Sequence, residues 1–303
     1  MSVRQKADQV VWTRLIGLIF MHLGCLGLLW VSWSATCIAL AIGMYLLRAF
    51  ALTAFYHRYF SHRAFKTSRW FQFCGALLGL TALQKGPLWW AAHHRHHHRQ
   101  SDASHDVHSP IAHGFLWAHL GWIVSKSNSN VRLELIKDWL RFPELRWLER
   151  NSILVAAIFA GLVYGAGELL SVLAANLSVD GPSLVVWVVF VSTVALYHAT
   201  YSVNSIAHLF GQRRFPTRDN SRNNLFVALL TLGEGWHNNH HHYQSSARQG
   251  FVWWEIDISY YCLLLLAKLG LVWDVRTVPQ HVMLSALTPV VEPPASVTTD
   301  QSH

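Results

Sequence analysis

Residues 35–62, ATCIALAIGMYLLRAFALTAFYHRYFSH, combine the two features that decide the fold of this chain. Residues 35–56 are predominantly apolar, and a helix of about 20 such residues is long enough to cross a lipid bilayer. Two histidines, His57 and His62, follow at once. The stretch therefore predicts a membrane helix that ends in a pair of imidazoles at the membrane surface.

Three further stretches are similarly long and apolar. The chain is 52% hydrophobic and only 13% charged, whereas a soluble domain has about 25% charged residues. The four cysteines are isolated and form no CxxC pair, so neither a disulfide framework nor a thiolate metal site is indicated. We predict spans at about 10–32, 35–56, 152–175 and 183–203.

Nine of the twenty histidines recur in a regular spacing, in the segments HRYFSH, HRHHH, NSIAH and HNNHH. Neutral imidazole is a ligand for iron, copper, zinc and nickel. A zinc site takes three or four ligands, and nine histidines exceed what one metal ion can hold, so they predict two metal ions. The predicted ligands are His57, His62, His94, His97, His98, His208, His237, His240 and His241.

Helical geometry explains most of these spacings. Residues three and four apart share a helix face, so each HxxHH segment can direct its histidines to one side. The spacing of five in HRYFSH instead requires a helix end or an irregular turn. Asn204 stands one helical turn before His208, where its carboxamide can bind a metal or hold a water.

Two less specific interpretations apply to other histidines. A polyhistidine stretch can be a low-complexity metal-sequestering tract, but such a tract needs no second cluster a hundred residues away. Isolated histidines such as His22, His113, His119 and His281 are expected to be surface or hydrogen-bonded residues. His93, His96 and His242 adjoin the boxes but are off their pattern, and we expect them to pack or to contact ligands.

Four acidic residues lie close to the histidine segments. A carboxylate can orient a ligating imidazole by accepting its other N–H, but it can equally be a solvated charge or a helix cap. Both alternatives are open for Asp102, Asp106, Asp219 and Glu234.

Topology restricts the architecture, because histidines that share a site must lie on one side of the membrane. Two helical hairpins satisfy this condition if the short apolar segment 71–84 does not cross. We therefore predict an all-α integral membrane protein with a single domain over residues 1–288. A helical cap, 57–150 and 204–280, holds the histidine-rich site, and the tail 289–303 is expected to be disordered. Within the cap, residues 131–142 predict an amphipathic helix that ends at Pro143, and residues 251–272 predict a cap or interfacial helix.

The distribution of charge predicts which side the cap occupies. The two tight turns near Ser32–Ser34 and Asn176–Gly181 contain no Lys or Arg, whereas basic residues are frequent on the histidine side. By the positive-inside rule the cap and its site are cytoplasmic. The net charge of +8 is scattered around membrane segments, which favours anionic lipid over nucleic acid as a partner.

The chain resembles the membrane-bound fatty acid desaturases, in particular the first-desaturase branch related to stearoyl-CoA desaturases and its short bacterial members. The family pattern HxxxxH, HxxHH, HxxHH is matched by the three boxes, and NSxxH is matched by Asn204 and His208. The surrounding text is also similar over about residues 35–278, in HRYFSHRAF, QKGPLWWAAHHRHHH, DVHSP, DNSRNN and LGEGWHNNHHHY.

The resemblance implies a di-iron centre with nine histidine ligands and a water held by Asn204, in four membrane helices with a cytoplasmic cap. It implies O2-dependent formation of a cis double bond in an acyl-CoA or phospholipid-bound acyl chain. Front-end desaturases replace the first histidine of the third box with Gln, so His237 favours Δ9. The chain lacks the HPGG haem motif and other redox-cofactor signatures. An external ferredoxin-, rubredoxin- or cytochrome-type donor with its reductase is therefore expected, at a bacterial inner membrane.

Two sets of residues are candidates for binding substrate. Trp89, Trp90 and Trp236 are predicted either to line a narrow acyl tunnel or to be packing and interfacial residues. A CoA or phospholipid head group is predicted to contact Arg69, Lys85, Arg213 and Arg214.

Two other functions compete with desaturation. A di-iron hydroxylase or oxygenase would use the same scaffold. A metal transporter would place ionisable ligands within the spans, but these contain few such groups, namely His22, Glu168 and His198.

Overall fold

The structure is a computed structural model that describes residues 9–285, and the described part of the chain is mostly helical. The predicted tail 289–303 lies outside the described residues. The helices are α1 Trp12–Gly24, α2 Ala35–Phe50, α3 Arg69–Leu80, α4 Pro87–Gln100, α5 Pro110–His113, α6 Trp122–Val124, α7 Pro143–Arg150, α8 Ser152–Leu173, α9 Gly181–Leu184, α10 Ser192–Leu209, α11 Leu225–Leu230, α12 His237–His242, α13 Ile258–Lys268 and α14 Gln280–Leu284. Two short strands, β1 Lys66–Thr67 and β2 Val272–Trp273, pair antiparallel and join the two parts of the cap.

Four helical stretches are long and apolar enough to cross a membrane, and they confirm the predicted all-α membrane architecture. They are span 1, Trp12–Leu29, span 2, Ala35–Ser61, span 3, Ser152–Leu173, and span 4, Gly181–Leu209. In the most apolar part of spans 2 and 4, 44% and 61% of the residues are buried, against 6% and 17% in spans 1 and 3. Spans 2 and 4 are therefore central, and both continue beyond their predicted ends into the histidine-rich region.

The first histidine box is held by an irregular helix, as its spacing required. Residues Ala51–Ser61 at the end of span 2 form a π-helix, whose hydrogen bonds join residues five apart. The His62 amide donates to the His57 carbonyl at 3.3 Å. The wider turn of the π-helix places His62 almost above His57, so both imidazoles project to the same side.

Two glycines in α3 let this helix approach the π-helix closely. A Cβ atom on Gly75 would stand 2.1 Å from the Phe55 ring, and one on Gly79 would stand 2.3 Å from the Tyr56 ring. The Tyr56 hydroxyl donates to the Ala76 carbonyl at 3.0 Å. Helix α3 has only 12 residues and packs beside the first box, which agrees with its predicted failure to cross the membrane.

The prediction of an amphipathic helix over residues 131–142 is wrong. That segment contains only a short 3-10 turn, Leu133–Leu135, and helix α7 begins at Pro143. Arg95 accounts for the difference, because its guanidinium binds the Leu135 carbonyl at 2.7 Å and the Asp138 carboxylate at 2.8 Å. The proline occupies the first helical turn, where its missing N–H costs nothing.

Candidate metal centre

All nine predicted ligands converge in two groups of imidazoles. Within each group, one ring nitrogen of every histidine lies within 4.8 Å of those of the others. The five-histidine cluster consists of His57, His62, His94, His98 and His240. The four-histidine cluster consists of His97, His208, His237 and His241, all of them buried.

The inward nitrogens of the five-histidine cluster are the Nε2 atoms. The Nε2 atom of His57 lies 3.0 Å from that of His240, which in turn lies 2.9 Å from that of His98. The His94 Nε2 atom lies 2.8 Å from that of His62 and 2.9 Å from that of His98. Five nitrogen donors therefore face one small volume.

The four-histidine cluster repeats this arrangement. The Nε2 atoms of His208 and His237 are 3.0 Å apart, and those of His97 and His241 are 3.4 Å apart. A set of nitrogen donors with no thiolate suits a borderline transition metal such as iron. Both clusters fit a metal ion by donor type, number and convergence.

The boxes are divided between the clusters in a way that their spacing alone does not show. In the second box, His94 and His98 serve the five-histidine cluster while His97 serves the other. In the third box, His237 and His241 belong to the four-histidine cluster, and His240 belongs to the five-histidine cluster. Residues four apart stay together because they are 40° apart around the helix, and the residue at three projects to the neighbouring cluster.

Each of the four predicted acids contacts a ligand on its Nδ1 side. Asp106 contacts His97 at 2.9 Å, Asp102 contacts His208 at 3.0 Å and Asp219 contacts His241 at 2.6 Å. Glu234 pairs with His57. These contacts favour imidazole orientation over the alternative of solvated charges.

The electrostatics keep these acids ionised. Burial raises the pKa of Asp102, but hydrogen bonds from His208 and Ser109 more than offset it and hold the pKa at about 2. Burial is likewise outweighed at Asp106 and Asp219 by His97 and His241, and the pKa of each carboxyl is well below its usual value.

The imidazoles are mostly held neutral, which is the state that binds metal. Burial, followed by the proximity of other imidazoles, places the pKa of His62, His94 and His98 well below the usual value. Burial has the same effect on His237 and His240. His97 differs, because Asp106 outweighs the burial and leaves its pKa raised.

Asparagines anchor the third box, and our reading of the sequence missed them. The Asn223 side-chain oxygen accepts from the amides of Asn238 and Asn239 at the start of α12. The Asn238 side-chain oxygen accepts from the amides of Arg214 and Phe215, both at 2.7 Å. The sequence signal that could have revealed them is the clustering of asparagines in the segments DNSRNN and HNNHH. Buried asparagine side chains need hydrogen-bond partners, and backbone amides supply them here.

Three further residues of the site were also missed. Arg58, buried beside His57, bridges Glu234 at 3.1 Å and Asp257 at 2.9 Å. His108, from DVHSP, lies with its ring 4.2 Å from that of His97.

Helix α4, which carries the second box, is capped by a distant acid. The Glu149 carboxylate accepts from the amides of Leu88 at 2.8 Å and Trp89 at 3.1 Å. These amides lie in the first turn of the helix, where they have no helical partner. Because Glu149 lies in helix α7, these hydrogen bonds fix the orientation of α4 relative to α7.

Two isolated histidines of the spans are linked to each other. The Nε2 atoms of His22 and His198 are 3.1 Å apart, and His198 Nδ1 lies 3.0 Å from His119 Nε2. His119 Nδ1 contacts the Ser205 hydroxyl at 2.9 Å. His22 and His119 are therefore hydrogen-bonded residues outside the two clusters, as expected from the sequence.

Two cavities adjoin the metal clusters and share part of their lining. The first has a volume of about 50 Å³ and the second about 70 Å³. Both are lined by Trp90, His94, Thr200 and Asn204.

The predicted substrate residues are distributed over different places. Trp90 lines both cavities, and Trp89 and Lys85 line the second. Trp236, Arg213 and Arg214 line a separate groove of about 570 Å³. Arg69 is exposed and pairs with Glu144 at 2.7 Å.

Comparison with known proteins agrees with the geometry. A family model described as fatty acid desaturase matches residues 28–257. The acyl-CoA 5-desaturase AL21 of Anemone leveillei is 36% identical over 295 residues, which cover 92% of this chain and 86% of that protein. The sn-1 stearoyl-lipid 9-desaturase of Anabaena variabilis is also 36% identical, over 88% of this chain and 94% of that protein. The Delta-9 acyl-lipid desaturase 1 of Arabidopsis thaliana is 34% identical, over 85% and 81%.

Proposed function

This chain belongs to the fatty acid desaturase family, and from that premise we propose that it introduces a cis double bond at position Δ9 of a saturated acyl chain. The two histidine clusters are the observation that carries the proposal. Desaturation removes two vicinal hydrogens, and with O2 and two external electrons and protons it yields the alkene and two waters. The retained His237 and the Δ9 names of several relatives support the bond position.

Two iron ions are proposed to occupy the two clusters, five imidazoles holding one and four the other. Bound iron supplies the oxidising chemistry, with O2 as co-substrate. The four carboxylates hold four of these imidazoles in place, those of His57, His97, His208 and His241. Asn204, which borders both cavities, is proposed to hold a water beside the clusters.

The two cavities are proposed to hold the few methylene groups of the acyl chain that lie next to the clusters, since volumes of about 50 and 70 Å³ are too small for a whole chain. They meet at Trp90, Thr200 and Asn204, next to His94, so a chain that passes through both presents one C–C bond to the clusters. The first cavity continues between spans 2 and 4 along Leu52 and Leu196, and its apolar lining suits a hydrocarbon.

Lys85 is proposed to contact the polar head of the substrate. It lines the second cavity, and burial, followed by the nearby Arg14, lowers the pKa of its amine to about 8. The groove around Arg213 and Arg214 shares no lining residue with either cavity, and Arg214 pairs with Glu255 at 2.9 Å. Acyl-CoA and phospholipid-bound acyl chains share a carbonyl and phosphates that an ammonium group can bind.

An external electron donor is proposed to dock on the cap. Lys137 and Arg141 are exposed there, and neither forms an ion pair within residues 9–285, whereas Arg63 pairs with Asp138 at 2.9 Å. Such a face steers an acidic partner, whether a ferredoxin, a rubredoxin or a cytochrome. Increasing salt should therefore slow the supply of electrons.

The cap is proposed to face the cytoplasm, in a bacterial inner membrane. Residues 30–34 and 174–180, which turn between the paired spans, contain no Lys or Arg. A topology reporter inserted in either turn should report the opposite side, and a cytoplasmic signal there would contradict this orientation.

Product analysis tests the proposal. The chain is expressed in a host that makes no unsaturated fatty acids, with each donor type, and the double bond is located in acyl-CoA and lipid fractions separately. We expect a cis Δ9 bond, and its loss in His94→Ala and His237→Ala. His105→Ala, an exposed histidine outside the clusters, is the matched control and should keep activity. A hydroxylated product without alkene would identify an oxygenase instead.

A further inference from the structure

The two clusters differ in what surrounds the outward Nδ1 atoms of their ligands. In the four-histidine cluster, three of the four imidazoles contact a carboxylate: His97, His208 and His241. In the five-histidine cluster only His57 does, through Glu234. Two Nδ1 atoms of that cluster, those of His98 and His240, are buried without a protein hydrogen-bond partner, against one in the four-histidine cluster, that of His237.

The charges of these carboxylates are also compensated differently. Glu234 shares its oxygen with Arg58 at 3.1 Å, so its negative charge is paired with a buried guanidinium. In residues 9–285, no lysine or arginine forms an ion pair with Asp102, Asp106 or Asp219. Their other contacts are neutral groups, such as the Ser109 and Ser221 hydroxyls. Three uncompensated charges thus surround one cluster, and one compensated charge adjoins the other.

This difference acts on a bound metal through the imidazoles. A carboxylate that accepts the Nδ1 proton makes the ring a stronger donor at Nε2. Negative charge in a water-poor interior also stabilises the more highly charged ion more strongly. Both effects favour Fe³⁺ over Fe²⁺ where the aspartates are concentrated.

We propose that the two metal positions are electronically inequivalent, and that the aspartates of the four-histidine cluster make it the position of ferric iron in a half-reduced centre. The inference rests on the proposed di-iron function. It assigns Asp102, Asp106 and Asp219 as positioning residues that set a reduction potential as well as a ring orientation.

Asp102→Asn is the most suitable variant, because it removes the charge and keeps the geometry. One Asp102 oxygen accepts from His208 and from the Asn220 amide at 2.7 Å, and an amide oxygen can do the same. The other oxygen faces the Ser109 hydroxyl at 2.6 Å, which can accept from an amide NH₂. Residue 102 has a φ of 59°, a left-handed conformation that asparagine tolerates well.

The test is a redox titration of the purified, ⁵⁷Fe-loaded enzyme followed by Mössbauer spectroscopy. We expect two one-electron steps in the wild type, with one ferric and one ferrous signal at the midpoint. Asp102→Asn should weaken the ferric preference of the lower-potential iron about tenfold, which raises that potential by about 59 mV. Glu234→Gln is the matched variant. It should leave the potential of the lower-potential step unchanged and shift the potential of the other step.

Several outcomes would overturn the inference. If both irons titrate at one shared reduction potential, the inference is wrong while the di-iron function stands. Equal shifts of both reduction steps in Asp102→Asn would have the same consequence. One iron per chain would overturn both this inference and the proposed di-iron function. If Asp102→Asn fails to fold, Asp106→Asn at the neighbouring ligand gives the same comparison, and a lowered or unchanged potential there contradicts the proposal.

Discussion

Among single residues, four of the nine predicted ligands use their two ring nitrogens for different purposes. The Nε2 atoms converge on the cluster, and the Nδ1 atoms of His57, His97, His208 and His241 contact carboxylates. The residue types and the spacing were enough to predict which nine histidines converge, because imidazole chemistry belongs to the residue itself. The pairing of each acid with its ring was not predictable, since Asp219 reaches His241 from 22 positions away.

The division of the boxes between the clusters leads to a prediction at this scale. His98→Ala removes a ligand of the five-histidine cluster, and His241→Ala removes one of the four-histidine cluster. Each should weaken iron binding at its own cluster and leave the other cluster loaded, and the loss of iron should be larger for His241→Ala, because His98→Ala still leaves four imidazoles at its position. Iron analysis of the purified proteins measures this loss.

The exposed His105→Ala serves as the control and should retain both ions. Loss of both ions from either ligand variant would show that the clusters bind metal as one unit, contrary to their separation.

At the scale of elements, the approach of one helix to another decides where the first box lies. The HRYFSH spacing required an irregular turn, and span 2 meets this need with the π-helix Ala51–Ser61. The contact of α3 with that π-helix was not predictable, because Gly75 and Gly79 are unremarkable in an apolar sequence until their neighbours are known.

Gly79→Ala tests this contact. The new Cβ atom would stand 2.3 Å from the Tyr56 ring, so the ring or the π-helix that carries it must shift, next to His57. We expect destabilisation of about 1–3 kcal/mol, together with weaker metal binding at the five-histidine cluster. Thermal unfolding in detergent and iron content are the measurements.

Gly43→Ala is the matched control within span 2, because nothing lies within 4 Å of its Cβ position. It should be neutral or slightly stabilising, since alanine favours a helix more than glycine does. Equal effects of the two substitutions would show that the close approach of α3 is unimportant.

At the scale of the whole molecule, a buried arginine joins the central spans. Arg48 is fully buried in span 2, and its guanidinium donates to Thr193 Oγ1 at 2.7 Å and Ser192 Oγ at 2.6 Å in span 4. It also donates to the Val188 carbonyl at 3.0 Å and to the Thr81 carbonyl after α3 at 3.1 Å. One side chain therefore ties together spans 2 and 4 and the loop that leads to α4.

Arg48→Met should destabilise the whole fold by about 3–5 kcal/mol, because it leaves several buried oxygens without donors. The unfolding temperature in detergent should fall while the product, if any forms, keeps its double-bond position. The matched control is Arg69→Met, an exposed arginine in an ion pair with Glu144, which should leave the unfolding temperature nearly unchanged because solvent screens an exposed pair. Similar losses for the two would contradict the role of Arg48.

The amino-acid sequence alone was enough to predict the number of spans, the nine histidines that converge and the class of chemistry. These follow from local properties: the length of an apolar run, the donor atom of a side chain and the period of a helix. The tertiary structure was needed to show which histidines share a cluster and which acid contacts each of the four paired rings. It was also needed to show how the charges are distributed between the two clusters. Those depend on groups that are distant in the chain and meet only when the hairpins and the cap pack together. The misjudged segment 131–142 has the same cause, because the partner that replaces its helix is Arg95, on another element.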